Sequence, residues 1–153
     1  MAGDPGGSRT DRPPRTVRWG SFPTTADVGI WARAHSAHGL LEGLGCALFA
    51  QMTDLRRVRP RETRCIEASG RDPSALVVAY LTALLALEQD DGFLARRFRV
   101  KTEGRPIHRA SAEVVGEPFE PGRHRPKIEV KAVTLHRIRF DTRGGEARVI
   151  LDI

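Results

Sequence analysis

The chain has almost no lysine: of its 25 basic residues only Lys101, Lys127 and Lys131 are lysines, and arginine fills every other basic position. A net charge of +6 and a pI near 10.3 would draw phosphate groups or an acidic partner surface. So uniform a use of arginine is also what a compositional bias produces, which weakens the case for nucleic acid. Aromatic residues make up only 6%, with a single tyrosine, leaving few stacking partners for the bases of a single strand. No apolar run approaches the roughly 20 residues of a membrane-spanning helix; the longest, Ala75 to Leu87, is interrupted by Thr82. The N-terminal MAGDPGGSRTDRPPRTVR lacks the apolar stretch of a secretion signal. The two cysteines, Cys46 and Cys65, stand singly and form no Cys-x-x-Cys pair. The expectation is a cytoplasmic protein with no disulfide and no zinc site, its thiols buried as small hydrophobes. There is no Gly-rich phosphate loop, nucleophile elbow or His-Glu-x-x-His, and the histidines at 35, 38, 108, 124 and 136 are scattered. The chain reads as a non-enzyme.

What is present is one globular domain. At 153 residues, with 40% apolar and 29% charged residues, the length suits a single core. Residues 1–16, rich in Gly, Pro and Arg, are expected to be a disordered tail, and the folded domain to span 17–153. Strand patterns cover Val17 to Phe22 and Val28 to Ala34, with the turn Pro23 to Asp27 between them. Ser36 caps a helix whose apolar stripe runs through Leu40, Leu41, Leu44, Ala47, Leu48 and Met52. Asp72-Pro73 opens a second helix, Ser74 to Gln89. Period-two patterns then cover Thr63 to Ala68, Arg97 to Thr102, Arg109 to Val115, Lys127 to His136, Ile138 to Thr142 and Ala147 to Ile153, with Gly144-Gly145 as a hairpin turn. Two helices and many strands predict an α+β fold, mixed or antiparallel sheets packed on the helices.

Chemistry has few places to sit. In the last strand Val149, Leu151 and Ile153 share one face and Asp152 the other. A chain that stops there fixes its α-carboxylate beside the Asp152 side chain, so two anionic oxygen groups meet within one residue. Hard cations take such ligands, and Asp27 is the candidate third carboxylate. The ordinary alternative is that Asp152 is solvated and Asp27 caps its turn, and spacing alone favours it. Glu129 and Lys131 project from one face of their strand, as an ion pair or as a charged pair beside a partner; a lysine kept in an arginine-rich chain hints that a compact ammonium is needed. The loop Gly116 to His124 offers Phe119 as a contact residue and His124 as a ligand or proton shuttle. Asp54, in Met52-Thr53-Asp54-Leu55, is expected to satisfy backbone groups where the first helix ends.

These pieces match, in order, the archease family. Phe22-Pro23-Thr24-Thr25-Ala26-Asp27-Val28-Gly29-Ile30 resembles its N-terminal His-Thr-Ala-Asp motif, and Phe49-Ala50-Gln51-Met52-Thr53-Asp54 its helix ending in Met-Thr-Asp. Gly116-Glu117-Pro118-Phe119 with Arg123-His124, and Glu129-Val130-Lys131-Ala132-Val133-Thr134, look like its central loop and strand. Val149-Ile150-Leu151-Asp152-Ile153 is similar to the Asp-Ile at archease chain ends. The resemblance covers Phe22 to Ile153. It implies a non-catalytic cofactor protein of the RtcB-type tRNA-splicing RNA ligase, promoting guanylylation of the ligase's histidine and multiple turnover. It further implies a transient complex with that ligase, contact with RNA only through it, and no membrane. The family's cation site, a Ca²⁺ site that Mg²⁺ or Mn²⁺ also suits, corresponds here to Asp27, Asp152 and Ile153, with Ile153 contributing main-chain or terminal oxygen. Lys131 matches a lysine tied to ligase activation, and Glu129, His124 and Asp54 belong to the same expected partner surface. One departure is material: the family's His is Thr24 here, and a hydroxyl is no imidazole acid, base or strong ligand. The competing expectation is a basic RNA-binding protein without a ligase role, using Arg56, Arg57, Arg59, Arg61, Arg96, Arg97 and Arg99; a metal-dependent hydrolase lacks an identifiable general base.

Overall fold

A computed structural model describes residues 17–153, so the expected tail, 1–16, lies outside the described residues. The strands are β1 (Arg18–Pro23), β2 (Val28–Arg33), β3 (Glu62–Ser69), β4 (Phe93–Glu103), β5 (Arg109–Pro118), β6 (Ala132–Asp141) and β7 (Glu146–Asp152). The helices are α1 (Ala37–Met52), followed by a 3-10 turn at Leu55–Arg57, and α2 (Pro73–Asp91). One sheet has the order β1-β2-β7-β6 and the other β3-β5-β4, every pairing antiparallel. Both helices lie between the sheets. α1 packs on β1 and β2 of the first and β4 of the second, α2 on β6 of the first and on all three strands of the second. The α+β expectation holds, in a layered form.

Two covered sides explain why α1 is apolar around much of its girth, with Leu40, Leu41, Leu44, Ala47, Leu48 and Phe49 all fully buried. Its glycines let both sheets approach: a Cβ on Gly43 would stand 2.9 Å from the Ala32 Cβ, and one on Gly45 2.9 Å from the Phe98 ring. The caps follow the sequence. Ser36 Oγ accepts the Gly39 N–H at 3.1 Å, and Asp72 Oδ1 accepts the Ala75 N–H at 2.8 Å with Pro73 opening α2.

Three expectations fail for physical reasons. Lys127 to His136 and Ile138 to Thr142 were expected as two strands; β6 is one strand whose ladder is interrupted between Thr134 and Arg139, with Arg137 at φ 56°. The segment before it joins no ladder because it finishes a helix: the Lys127 and Ile128 N–H groups donate to the Met52 and Gln51 carbonyls at 2.9 and 3.0 Å. β4 starts at Phe93 instead of Arg97, since Phe93, Leu94 and Ala95 are all buried and show no alternation. Cys65 is exposed on the outer face of β3, because period two leaves it between the inward Arg64 and Ile66; Cys46 is half-buried, and burial and the Glu42 charge push its thiol up to about 12. Among the described residues no helix is long and apolar enough to cross a membrane.

Candidate functional site

A side chain closes the turn that carries Asp27. Beyond the last β1–β2 pair, Pro23 with Val28, Thr24 Oγ1 accepts the Asp27 N–H at 3.0 Å. β2 pairs with β7 so that Val28 faces Leu151, and Asp27 and Asp152 are each the next residue beyond that pair, Asp27 in the turn and Asp152 at the end of β7. On the other side of β7, Ala132 faces Asp152, and the Lys131 N–H donates to the Asp152 carbonyl at 2.7 Å. Three segments far apart in sequence thus bring Asp27, Lys131, Asp152 and Ile153 to one end of the four-stranded sheet. Alternation along β7 puts the Asp152 side chain on the face of Arg148 and Ile150, which points away from the helices; the opposite face, with Ile30, Val149 and Leu151, is fully buried.

The donor set is chemically uniform. Asp27 is half-buried and Asp152 exposed. Among the described residues neither carboxylate forms an ion pair within 4.0 Å, so no basic side chain occupies either. Anionic oxygens on adjacent strands suit a hard divalent cation. Among the described residues no three His, Cys, Asp or Glu side chains converge. Of the set expected from the sequence, Asp27 and Asp152 would offer side-chain carboxylates and Ile153 only main-chain oxygen.

Lys131 and Glu129 are exposed on either side of buried Val130, and they do not pair with each other. Gln89 of α2 fixes this stretch by donating its amide to the Val130 and Lys131 carbonyls at 3.3 and 3.4 Å. Burial first, and the Glu129 charge second, raise the Glu88 carboxyl above its ordinary range. Glu88 and Glu129 share a cleft of about 330 Å³ with Met52, Leu94, Phe119 and Lys127.

The other two expected surface residues are engaged internally. His124, expected on a partner surface, is 2% exposed. Its Nδ1 accepts the Glu120 N–H at 2.7 Å, which leaves the proton on Nε2 to be donated to Glu117 Oε2 at 2.8 Å. Asp54 accepts the Arg56 N–H at 3.1 Å and both arms of its guanidinium at 3.1 Å, which holds its carboxyl down to about 2. Sequence reading missed Glu117, 1% exposed at the end of β5. It accepts from both arms of Arg123, from the Arg59 N–H at 2.7 Å and from His124, and the Arg123 guanidinium foremost holds its carboxyl down to about 2. A Gly-Glu-Pro tripeptide carries no signal for such a site.

Helices held between two antiparallel sheets, with a carboxylate pair and a lysine at the end of one sheet, define a small α+β protein built to present a charged edge. The model of the archease protein family matches residues 19–153, and the chain belongs to that family. It is 33% identical over 125 residues to the protein archease of Pyrococcus abyssi, covering 81% of this chain and 88% of that one. It is 34% identical over 136 residues to that of Methanothermobacter thermautotrophicus, covering 86% and 96%. The solution structure of Methanobacterium thermoautotrophicum protein 1598 superposes with a TM-score of 0.74 at 33% identity, over 88% of this chain and 98% of that one.

Proposed function

We propose that this protein is a non-catalytic activator of an RtcB-type RNA ligase, docking on it transiently in the cytoplasm and promoting its guanylylation and multiple turnover in tRNA splicing or RNA repair. The observation that supports the reading is the convergence of Asp27, Asp152, Ile153 and Lys131 at one sheet end from three distant segments. RNA is met through the ligase, and no membrane is involved.

Asp27, Asp152 and a main-chain oxygen of Ile153 would hold the divalent cation, Ca²⁺ in this reading, with Mg²⁺ or Mn²⁺ acceptable to the same donors. When bound, the cation supplies concentrated positive charge at the sheet end. The chain's own residues do the remaining work. Thr24 holds the Asp27 backbone, Gln89 fixes the strand start that carries Lys131, and the Lys131 ammonium is exposed to meet a phosphate or carboxylate of the partner. Thr24 orients Asp27 and supplies no proton.

The test is RNA ligation by the cognate ligase with GTP, Mn²⁺ and excess RNA, with and without this protein. Added protein is expected to convert a single turnover into many, and Asp152→Ala and Lys131→Ala, each folded, to lose most of the stimulation. Unchanged stimulation by both variants would sink the proposal.

A further inference from the structure

The outer face of the four-stranded sheet, which carries Asp152 at its end, has features that ligase activation does not use. Among the described residues no helix or strand packs on it, since α1 and α2 cover the other face. Gly20, Trp31, Arg148 and Arg139 form one row across it, and Phe22, Gly29 and Ile150 lie in the next. Both rings lie on glycines of the neighbouring strand. A Cβ on Gly20 would sit 2.8 to 2.9 Å from three atoms of the Trp31 indole, and one on Gly29 would meet three ring atoms of Phe22, so each ring is laid across bare backbone. The Arg33 guanidinium stands over the Trp31 ring, 5.2 Å from its centroid, and the Arg148 guanidinium over Phe22 at 4.9 Å. Arg33, Trp31, Arg148 and Phe22 thus form an alternating series of cationic and π planes on an open sheet.

Around the two rings guanidiniums outnumber carboxylates, while Asp152 carries negative charge at the end of the same face. Glu146 lies 3.6 to 3.8 Å from Arg33, Arg139 and Arg148 at once, one carboxylate against three guanidiniums, and Asp141 adds only a 3.9 Å contact to Arg139. A planar, anionic ligand answers both features. An arginine and aromatic surface also suits a protein partner, but that requires pockets or protruding anchors, and here the rings lie flat against the sheet. Four-stranded antiparallel sheets that present aromatic rings are a recurring means of holding unpaired bases.

We propose that this face binds single-stranded nucleic acid, with bases stacking on the Arg33 and Arg148 guanidinium planes, which Trp31 and Phe22 back from beneath, and phosphates meeting Arg33, Arg139 and Arg148. The proposal does not rest on ligase activation and is tested without the ligase. In the full chain carrying Trp19→Phe, Trp31 is the one indole left, and oligouridylate at low salt is expected to quench its emission. With a labelled oligouridylate, Trp31→Ala is expected to weaken binding roughly 5- to 150-fold, as loss of one stacked base implies. Arg148→Glu, an exposed change that leaves the core alone, should weaken it at least as much. The log–log salt slope should lie near about −2 for three phosphates. Three outcomes overturn the proposal: no oligouridylate binding at low salt; binding that neither variant alters; or heparin bound as tightly as oligouridylate with no change in Trp31 emission, which reduces the face to a basic surface. If Arg148→Glu abolishes ligase stimulation while no oligouridylate binds, the face is a protein docking surface instead.

Discussion

Thr24 shows what a hydroxyl does at the head of the turn that carries Asp27. It accepts the Asp27 N–H and so sets the direction from which Asp27 approaches Asp152. Thr24→Val keeps the shape and removes the acceptor, a loss of about 0.5 to 1.5 kcal/mol in the turn. Calorimetric Ca²⁺ titration should show weaker binding for Thr24→Val and near-native binding for Thr24→Ser; equal affinities would detach Thr24 from the site. Glu117 is the second instructive residue. Its folded carboxyl titrates near 2 against an ordinary 4.5, so its contribution is complete above pH 4.5 and is lost as pH falls through the window down to about 2. Glu117→Gln should be less stable than the parent at pH 6, and the difference should shrink in denaturant melts at pH 3 as the parent loses its anion. The Asp54 carboxyl is also held down, from 3.8 to about 2, but its partner Arg56 is exposed, so that pair should add little. Asp27 and Asp152 were readable as candidates because acidic residues beside strand ends are visible in a sequence. Glu117 was not, since its burial comes from Arg59, Arg123 and His124 folding over it.

Among the elements, local chemistry decided which were legible. Asp72-Pro73 announces α2 and Ser36 announces α1, because a cap depends only on neighbours along the chain. Asp72→Ala should cost about 1 kcal/mol and lower the melting temperature while leaving cation binding untouched, which makes it the stability control for variants at the sheet end. A matching fall in Ca²⁺ affinity would mean that the site responds to global stability alone. Elements fixed by distant partners were harder to read. The stretch from Lys127 alternates like a strand, yet the Lys127 and Ile128 N–H groups are taken by the α1 carbonyls, a contact across roughly 75 residues of chain that no periodicity records. The outer-face rings were likewise invisible: a 6% aromatic content spoke against base stacking, and only the register of β1 on β2 lays Trp31 and Phe22 side by side over glycines.

At the scale of the whole molecule, the core lies between the sheets and the charged chemistry at their margins. The end of the first sheet joins a turn, a strand start and the last strand by few backbone bonds, with Asp27 and Asp152 each one residue beyond the Val28–Leu151 pair. Without a counter-ion those like charges oppose closure of that end. On the proposed reading, a cation bound there would tie the β1–β2 turn to β7 and stabilise the folded state according to its occupancy. At a free Ca²⁺ concentration about 100 times the dissociation constant, the linkage contributes about 2.7 kcal/mol. For a domain of this length that raises the melting temperature by about 5 to 10 °C. Chelator should reverse the shift, and Asp27→Asn, which removes one of the two charges and keeps the shape, should abolish most of it. Hydrogen exchange locates the effect: protection should rise at Val28 and Leu151, next to the carboxylates, and stay unchanged in α2. A Ca²⁺-dependent shift that survives in Asp27→Asn would place the cation elsewhere on the molecule.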